Sequence, residues 1–424
     1  MREPAPRFMP QASTTPGPLD RIALRLRRIT TSGRYMGELD GLRFVAIAWV
    51  VLMHIHHYSA VSVRHVDSPF GSFWGWLLDL GNLGVPLFFA ISGFILALPF
   101  AEYHLATGRE VSLRQYFLRR LTRLEPPFIA AMLVAFVLHV IKGGVPLGEL
   151  TRHLGATIAY LHNLIYQHHS TINGVAWSLE IEVQFYICVP ALALVFRLPT
   201  VARRVALGVA ILLLAWAMPS FWMKQGVAQP DLYLIGHLHF FLIGFVLADL
   251  FITRPVALEV NPVLWDLLGL FGCCATPFAY ADKAMGWLWF PLSIGLFYLG
   301  AMRGTCLRRL LNDPVIATLG GMCYTIYLIH LPIVSGVIKV SKRLAVSDYY
   351  LPNLFLQIAI MLPLILVPSI IFYALVERPC MNKNWPWELA AWCKARLPGG
   401  RSAPPPSPPF APTDTPGAGS SSMG

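Results

Sequence analysis

The apolar residues of this chain come in unbroken runs of about twenty, the length at which a helix crosses a hydrocarbon core. Such runs fall near 42–60, 81–100, 126–142, 175–196, 205–220, 233–252, 263–281, 285–301, 315–338 and 354–376. Backbone in hydrocarbon must satisfy every N–H and C=O internally, so only helices or a closed barrel can span. Barrel strands alternate apolar and polar over about ten residues, and these runs do not alternate. Composition agrees. Of 424 residues, 56% are hydrophobic and 13% charged, with a mean hydropathy of +0.57, against about 25% charged in soluble domains. The expected fold is an all-α polytopic transmembrane bundle of about ten spans.

The formal charge of +11 fits the excess of Lys and Arg in cytoplasmic loops. No basic run with interleaved aromatics marks a nucleic-acid surface. With both termini cytoplasmic, roughly three-quarters of the 33 Lys and Arg fall on the inner side. The expected location is the cell (inner) membrane, with multiple passes. Segment 153–167 is too short to cross comfortably and is placed on the outer side, re-entrant or interfacial. If it crossed, the charge bias would nearly vanish. Three parts are expected: a cytosolic basic, Pro-containing tail at 1–36 with an amphipathic stretch at 19–29, a membrane domain at 37–381, and a mostly disordered Pro/Ser/Gly-rich tail at 382–424. Residues 1–36 lack the apolar core of a signal peptide. None of the seven cysteines forms a pair in an outer loop, so no structural disulfide is expected.

An ionisable group inside a span costs several kcal/mol unless it faces the bundle interior, and is a functional candidate by default. In ELDGLRFVAIAWVVLMHIHHY, Arg43 and His54 are eleven residues apart. On a helix that is about three turns, roughly 16 Å, with the side chains only ~20° out of register. One face thus carries a fixed cation near the cytosolic surface and an imidazole deeper in the bilayer. The cation suits a phosphate-bearing ligand and the imidazole suits general-base work. The bland alternative is a snorkelling interfacial arginine and a packed histidine. His56 and His57 point elsewhere and read as structural.

Four other segments hold candidates. In GVPLFFAISGF, small residues (Gly84, Ala90, Ser92, Gly93) let a neighbouring helix approach, and Ser92 has no sequence-adjacent base. In FLRRLTRLEPPF, Arg119, Arg120 and Arg123 form a cluster that serves topology or phosphate binding. In WSLEIEVQFY, Glu180 and Glu182 point about 200° apart on a helix and cannot form a dyad. Glu182 can pair with Tyr186, and Glu180 with Gln184. Trp177 opens this segment as a substrate-side candidate. In YTIYLIHLP, His330 lies mid-span with Tyr327 one turn earlier, and reads equally as a site residue or a packed histidine. The outer segment 143–174 contains His153, His162, His168 and His169, at spacings that match no standard metal site. No metal is expected.

These motifs together resemble acyltransferase family 3, the bacterial integral-membrane O-acyltransferases. ELDGLRFVAIAWVVLMH, GVPLFFAISGF, FLRRLTRLEPPF, WSLEIEVQFY, LGGMCYTIYLIHLP and the closing ERP at 377–379 stand in family order from about 38 to 380. The resemblance implies that Arg43 and His54 are essential, with the histidine as base, and that Glu182 is the motif carboxylate. The phenylalanine-pair and Ser-Gly-Phe motif falls on Phe88, Phe89, Ser92, Gly93 and Phe94. Glu180 departs from the family pattern, as does HLHFFLIG in the sixth span, where an arginine would be expected. Larger members append a soluble esterase-like domain, which this sequence is not expected to carry.

The implied reaction moves an acyl group, often acetyl, from acyl-CoA to a hydroxyl, often on a sugar. No permanently bound cofactor is expected; acyl-CoA is the donor substrate. It would enter past Arg43 and the Arg119, Arg120 and Arg123 cluster. The other partners would be membrane lipid and a carbohydrate or glycosylated small-molecule acceptor. Direct transfer and a route through an acyl-enzyme are both open. The alternative function is a transporter of a lipid-linked or acylated glycan, which would also bury charge near mid-bilayer.

Overall fold

The structure, a computed structural model, describes residues 17–28, 35–63, 69–225, 229, 232–259, 261–282, 284–382 and 385. Among these residues the regular elements are helical, with no β-strand. The tail beyond 385 and all of 1–16 lie outside the described residues, so the expected disorder of the C-terminal tail does too.

Helix α1 (Pro18–Leu26) is the expected amphipathic stretch. Helix α2 (Gly37–Ser62) carries the Arg43–His54 face. Helices α3 (Pro69–Asp79) and α4 (Gly84–Leu105) join through a single 3-10 turn, Leu80–Leu83. Helix α5 (Leu113–Lys142) begins earlier than the expected span. Its apolar half turns Leu133, Val134, Val137, Leu138 and Ile141 outward, as a lipid-facing surface requires. Short helices α6 (Leu147–Ile158) and α7 (His162–Tyr166) follow. Tyr160 and Gln167 have positive φ (56° and 54°), which ends each helix. Segment 153–167 is therefore two pieces, and neither is long enough to cross.

Helices α8 (Ala176–Leu192), α9 (Thr200–Gln225), α10 (Leu234–Thr253), α11 (Pro262–Ala281) and α12 (Gly286–Arg303) continue the bundle. Helix α13 (Cys306–Leu311) leads to α14 (Pro314–Gly321), α15 (Cys323–Ser341) and α16 (Tyr350–Phe372). Asp313 caps α14, accepting from the amides of Val315 and Ile316 at 2.9 and 3.2 Å, with Pro314 in the first turn. Helix α14 ends at Gly321 and α15 starts at Cys323, so the expected span 315–338 is broken at Met322.

Nine helical stretches among the described residues are long and apolar enough to cross a membrane. Ten were expected. The one that falls short is α12, whose Trp287, Trp289, Pro291, Tyr298 and Arg303 dilute its apolarity. It still packs along α11, where Gly300 and Gly269 bring the two backbones into contact. The protein is a multi-pass membrane protein.

Helices α4 and α10 form the centre, with most of their residues buried. A Cβ at Gly93 would strike the Phe241 carbonyl, and one at Gly244 would strike the Phe94 amide. The small-residue stretch of α4 therefore serves close helix packing. Phe241 fills the space beside this crossing, stacked on Phe89 and Phe185 at centroid distances of 4.5 and 3.9 Å. On the far side, Arg203 and Arg204 share the fully buried Asp249, which ties α9 to α10. Glu377, in a single π-turn after α16, is likewise buried and accepts from the Thr325 hydroxyl at 2.5 Å.

Candidate functional site

His54 and His330 meet. They lie on α2 and α15, and their rings sit edge to face with centroids 5.0 Å apart. His330 Nδ1 is 2.8 Å from the Tyr327 carbonyl and 3.0 Å from that of Ile326. Carbonyls only accept, so this nitrogen bears the hydrogen and Nε2 bears the lone pair. That Nε2 is 3.3 Å from His54 Nδ1, which is also 2.9 Å from the Val50 carbonyl. His54 Nδ1 therefore faces two acceptors and must be the protonated nitrogen. The remaining nitrogen of His54, Nε2, is left basic. The backbone carbonyls of their own helices thus orient both imidazoles.

Tyr327 stands beside this pair, its ring 5.8 Å from that of His330 and 6.4 Å from Phe88. Its hydroxyl donates to the Val175 carbonyl at 2.9 Å and lies 2.6 Å from Ser178 Oγ. It thereby pins α15 to the start of α8, where Trp177 sits. The Trp177 ring packs 5.5 Å from His237, which packs 5.2 Å from Phe89. The sixth span thus reaches this region with a histidine.

A second chain of contacts runs from α4 to α5. Ser92 Oγ donates to Glu182. Tyr186 hydrogen-bonds to the same carboxylate, one turn on, as the spacing predicts. Arg120 stacks over Tyr116 at 3.8 Å and reaches Tyr186 at 5.6 Å. Ser92 therefore has a base beside it, supplied by a residue ninety positions away. Glu180 behaves differently from expectation. It does not turn to Gln184; both of its oxygens accept from the Asn163 amide, at 3.0 and 3.1 Å. It fastens the α7 turn to α8, because four unpaired amides at a helix start attract a carboxylate.

The end of α2 that carries Arg43 gathers cations. Arg43 pairs with Asp40, one turn earlier, and Arg28 from beyond α1 reaches the same Asp40 oxygen at 3.1 Å. Helix α1 is held there by Thr318 Oγ1 donating to the Ala23 carbonyl at 3.0 Å. Burial, with Arg123 and Arg43 alongside, pushes the Arg28 guanidinium down to about 9, so it remains charged at neutral pH. The Nε atoms of Arg28 and Arg123 are buried and have no hydrogen-bond partner among the described residues. Arg119 does not join this group. It is exposed, with Nε donating to the Gln115 carbonyl of its own helix.

A family model described as an acyltransferase domain, that of acyltransferase family 3, matches residues 36–374. The chain belongs to acyltransferase family 3. Among curated proteins, this family 3 chain is 26% identical over 332 residues to the protein of Staphylococcus aureus (strain MSSA476) named "Putative O-acetyltransferase SAS0844", covering 72% of the chain and 51% of that relative. It is 25% identical over 386 residues to O-acetyltransferase OatA of S. aureus (strain NCTC 8325 / PS 47), covering 84% of the chain and 58% of that relative. The chain thus spans about half the length of the curated relatives it matches. No solved structure matches it.

Three participants escape a reading of the family 3 motifs alone. Asp40 was overlooked, although its i,i+3 spacing to Arg43 is a signal that could have found it. Arg28 offers no such signal, because no periodicity links a residue before the first span to that span. Nor does the contact between His237 and Trp177, which depends on the crossing of α8 and α10. Among the described residues no group of three or more His, Cys, Asp or Glu side chains could hold a metal ion.

Proposed function

We propose that this protein is a membrane O-acyltransferase that moves an acyl group, acetyl in the simplest case, from acyl-CoA to a hydroxyl of a sugar-containing acceptor. The observation that carries this reading is the basic Nε2 of His54, held by His330 on the helix face that bears Arg43. His54 Nε2 takes the proton of the acceptor hydroxyl as its oxygen attacks the thioester carbonyl. The C–O bond forms, the tetrahedral carbon collapses, the C–S bond breaks, and the CoA thiolate leaves with the proton from His54. His330 steadies the transient imidazolium through its Nε2 lone pair, as the third group of a triad does.

Arg43, Arg28, Arg120 and Arg123 attract the polyanionic donor. The two buried guanidinium N–H groups without partners are the kind of donor that a phosphate oxygen satisfies. Trp177 and Tyr327 wall the acceptor side. The positive-inside rule supports a cytoplasmic side for that cationic end, and with it our reading of both termini as cytoplasmic in an inner-membrane protein. The Ser92–Glu182 contact supports a second route, in which Ser92 carries the acyl group before transfer.

The reading is tested with purified protein and labelled acetyl-CoA, paired with mass spectrometry of surface glycans and metabolites from cells with and without the gene. A gain of one acyl unit on a glycan is expected. No gene-dependent acyl mass and no donor consumption would sink it. A labelled enzyme that accumulates without acceptor, and is lost in Ser92→Ala, selects the Ser92 route.

A further inference from the structure

Helix α1 stands ahead of the first span and outside residues 36–374, the part of the chain that the family model matches. It has nine residues, too few to hold a helix in water without tertiary contacts. Its contacts lead to the cationic end of α2. Thr318 Oγ1 donates to the carbonyl of buried Ala23 at 3.0 Å. Just past the helix, Arg27 lies over the Tyr35 ring at 3.4 Å, and Arg28 reaches Asp40 at 3.1 Å. Gly321 lets the two segments approach, since a Cβ there would sit only 3.4 Å from Arg28 Cβ.

Asp40 leaves part of Arg28 unsatisfied. Arg28 Nε is buried without a hydrogen-bond partner among the described residues, as is Arg123 Nε on α5. The Tyr324 hydroxyl donates to the Leu124 carbonyl at 3.0 Å and holds that stretch of α5 against the start of α15. Tyr373, in the π-turn after α16, is 0% exposed, and its hydroxyl is a third buried group without a partner. Arg28, Arg123 and Glu377 are near enough to interact electrostatically with that hydroxyl. Three unsatisfied donors from three separate segments thus share one neighbourhood. Native proteins keep few such groups, and each asks for an explanation.

Charge gives the ligand class. Arg28, Arg43 and Arg123 lie together here, near the carboxylates of Asp40 and Glu377. Glu377 turns to Thr325, accepting from its amide at 3.2 Å and from its hydroxyl at 2.5 Å. Residues 29–34, between Arg28 and Tyr35, contain no carboxylate. Among the described residues the cluster therefore joins an excess of positive charge to unsatisfied N–H and O–H donors. That combination fits a phosphoryl group, whose oxygens accept from guanidinium and hydroxyl alike.

We propose that Arg28, Arg123 and Tyr373 form a phosphoryl-binding subsite that α1 completes by delivering Arg28, and that a phosphate of the donor occupies it. The bound phosphate holds Arg28, and through Arg28 it holds α1, so the donor fastens the segment ahead of the first span onto the membrane domain. The proposal rests on the acyltransferase reading for the identity of the donor, but not for phosphoryl binding itself. A phospholipid headgroup offers the same chemistry, and the experiment separates the two sources.

The test uses the full chain in neutral detergent with Arg28→Gln and Tyr373→Phe. Binding of CoA, of pantetheine, which lacks the phosphates, and of dihexanoylphosphatidylglycerol is measured by calorimetry, with hydrogen exchange across 18–26 in parallel. Arg28→Gln should weaken CoA binding about tenfold and Tyr373→Phe about threefold, the worth of a charged and of a neutral hydrogen bond. Both should narrow the preference for CoA over pantetheine. CoA should slow exchange across 18–26 in the parent, and pantetheine should not. Tyr373→Phe should keep the parental Tm, because the hydroxyl it removes has no partner in the unliganded protein; a lowered Tm marks a structural role and overturns the assignment of Tyr373. Variants that bind CoA as the parent does, or that lose CoA and pantetheine equally, would overturn the proposal even where acetyl-CoA is still consumed. Weakened phosphatidylglycerol binding with CoA binding untouched would assign the subsite to a lipid headgroup and overturn the donor assignment. A parent that binds CoA as expected yet transfers no acetyl group keeps the subsite and defeats the acyltransferase reading instead.

Discussion

The two ends of α2 have opposite electrostatic character. At one end Arg43 and Arg28 share Asp40, with Arg123 alongside. At the other, His56 leans on Asp79, beside a cavity whose described lining holds no Lys or Arg. His54 lies between them, paired with His330. Among the described residues, one end of the helix is thus predominantly cationic and the other carries a carboxylate. In the proposed reaction the cationic end would receive the polyanionic donor.

The most severe way to break the comparison is to remove the group between the ends. His54→Ala should lower the transfer rate by about 10²–10⁴-fold, the usual contribution of a positioned base, with little change in KM for either substrate. Parental turnover by this variant would refute the base assignment. The cationic end is broken next. Arg43→Ala should raise KM for acetyl-CoA by about 10–100-fold, the worth of a charged hydrogen bond, and leave acceptor KM unchanged. A matching rise in acceptor KM would show that the two ends are not separate. Steady-state kinetics at two salt concentrations reads both effects, because a charge-based loss shrinks as salt rises.

His330→Ala sharpens the middle of the comparison. It should cost about tenfold in kcat with both KM values held, since His330 touches His54 rather than either end. Gly244→Ala should spare the chemistry and lower stability by about 1–3 kcal/mol, because its methyl meets the α4 backbone. Thermal unfolding in detergent measures that cost.

The smallest effect concerns the α6–α7 flap. Burial, and then His153 and His168 alongside, pull the His162 imidazole down to about 4. His169 and Tyr166 lie near, and Glu149 faces His153. The unfolded chain binds a proton near 6.5 and the folded one only near 4, so stability is full above about 6.5 and falls as pH drops toward 4. Hydrogen exchange across 147–166 should speed up over that window, and His162→Gln should flatten the response.

Much of the fold was legible because lipid imposes one rule, that backbone groups pair within a helix. The spans near 42–60, 81–100 and 233–252 fall within α2, the α3–α4 stretch and α10. The rule faltered at α12, where aromatics and Arg303 dilute the apolar run, and at Met322, where α14 ends and α15 begins inside an expected span. Within the site, the i,i+4 partnership of Glu182 and Tyr186 was readable from one helix. The partner of Glu180 was not, because an unpaired helix start outcompetes a side-chain amide for a carboxylate.

By itself the sequence determined the helical membrane class, the shared face of Arg43 and His54, and the family. These depend on composition, on helical period and on motif order, all of which are local. Only the tertiary structure decided which candidates meet: His54 with His330, Ser92 with Glu182, Arg28 with Asp40, His56 with Asp79. Each pairing joins separate segments of the chain, and the packing of whole helices sets which faces touch. The histidine beside the cavity, His56, looked structural in sequence because its two partners lie on α3 and α16, 23 and 294 residues away.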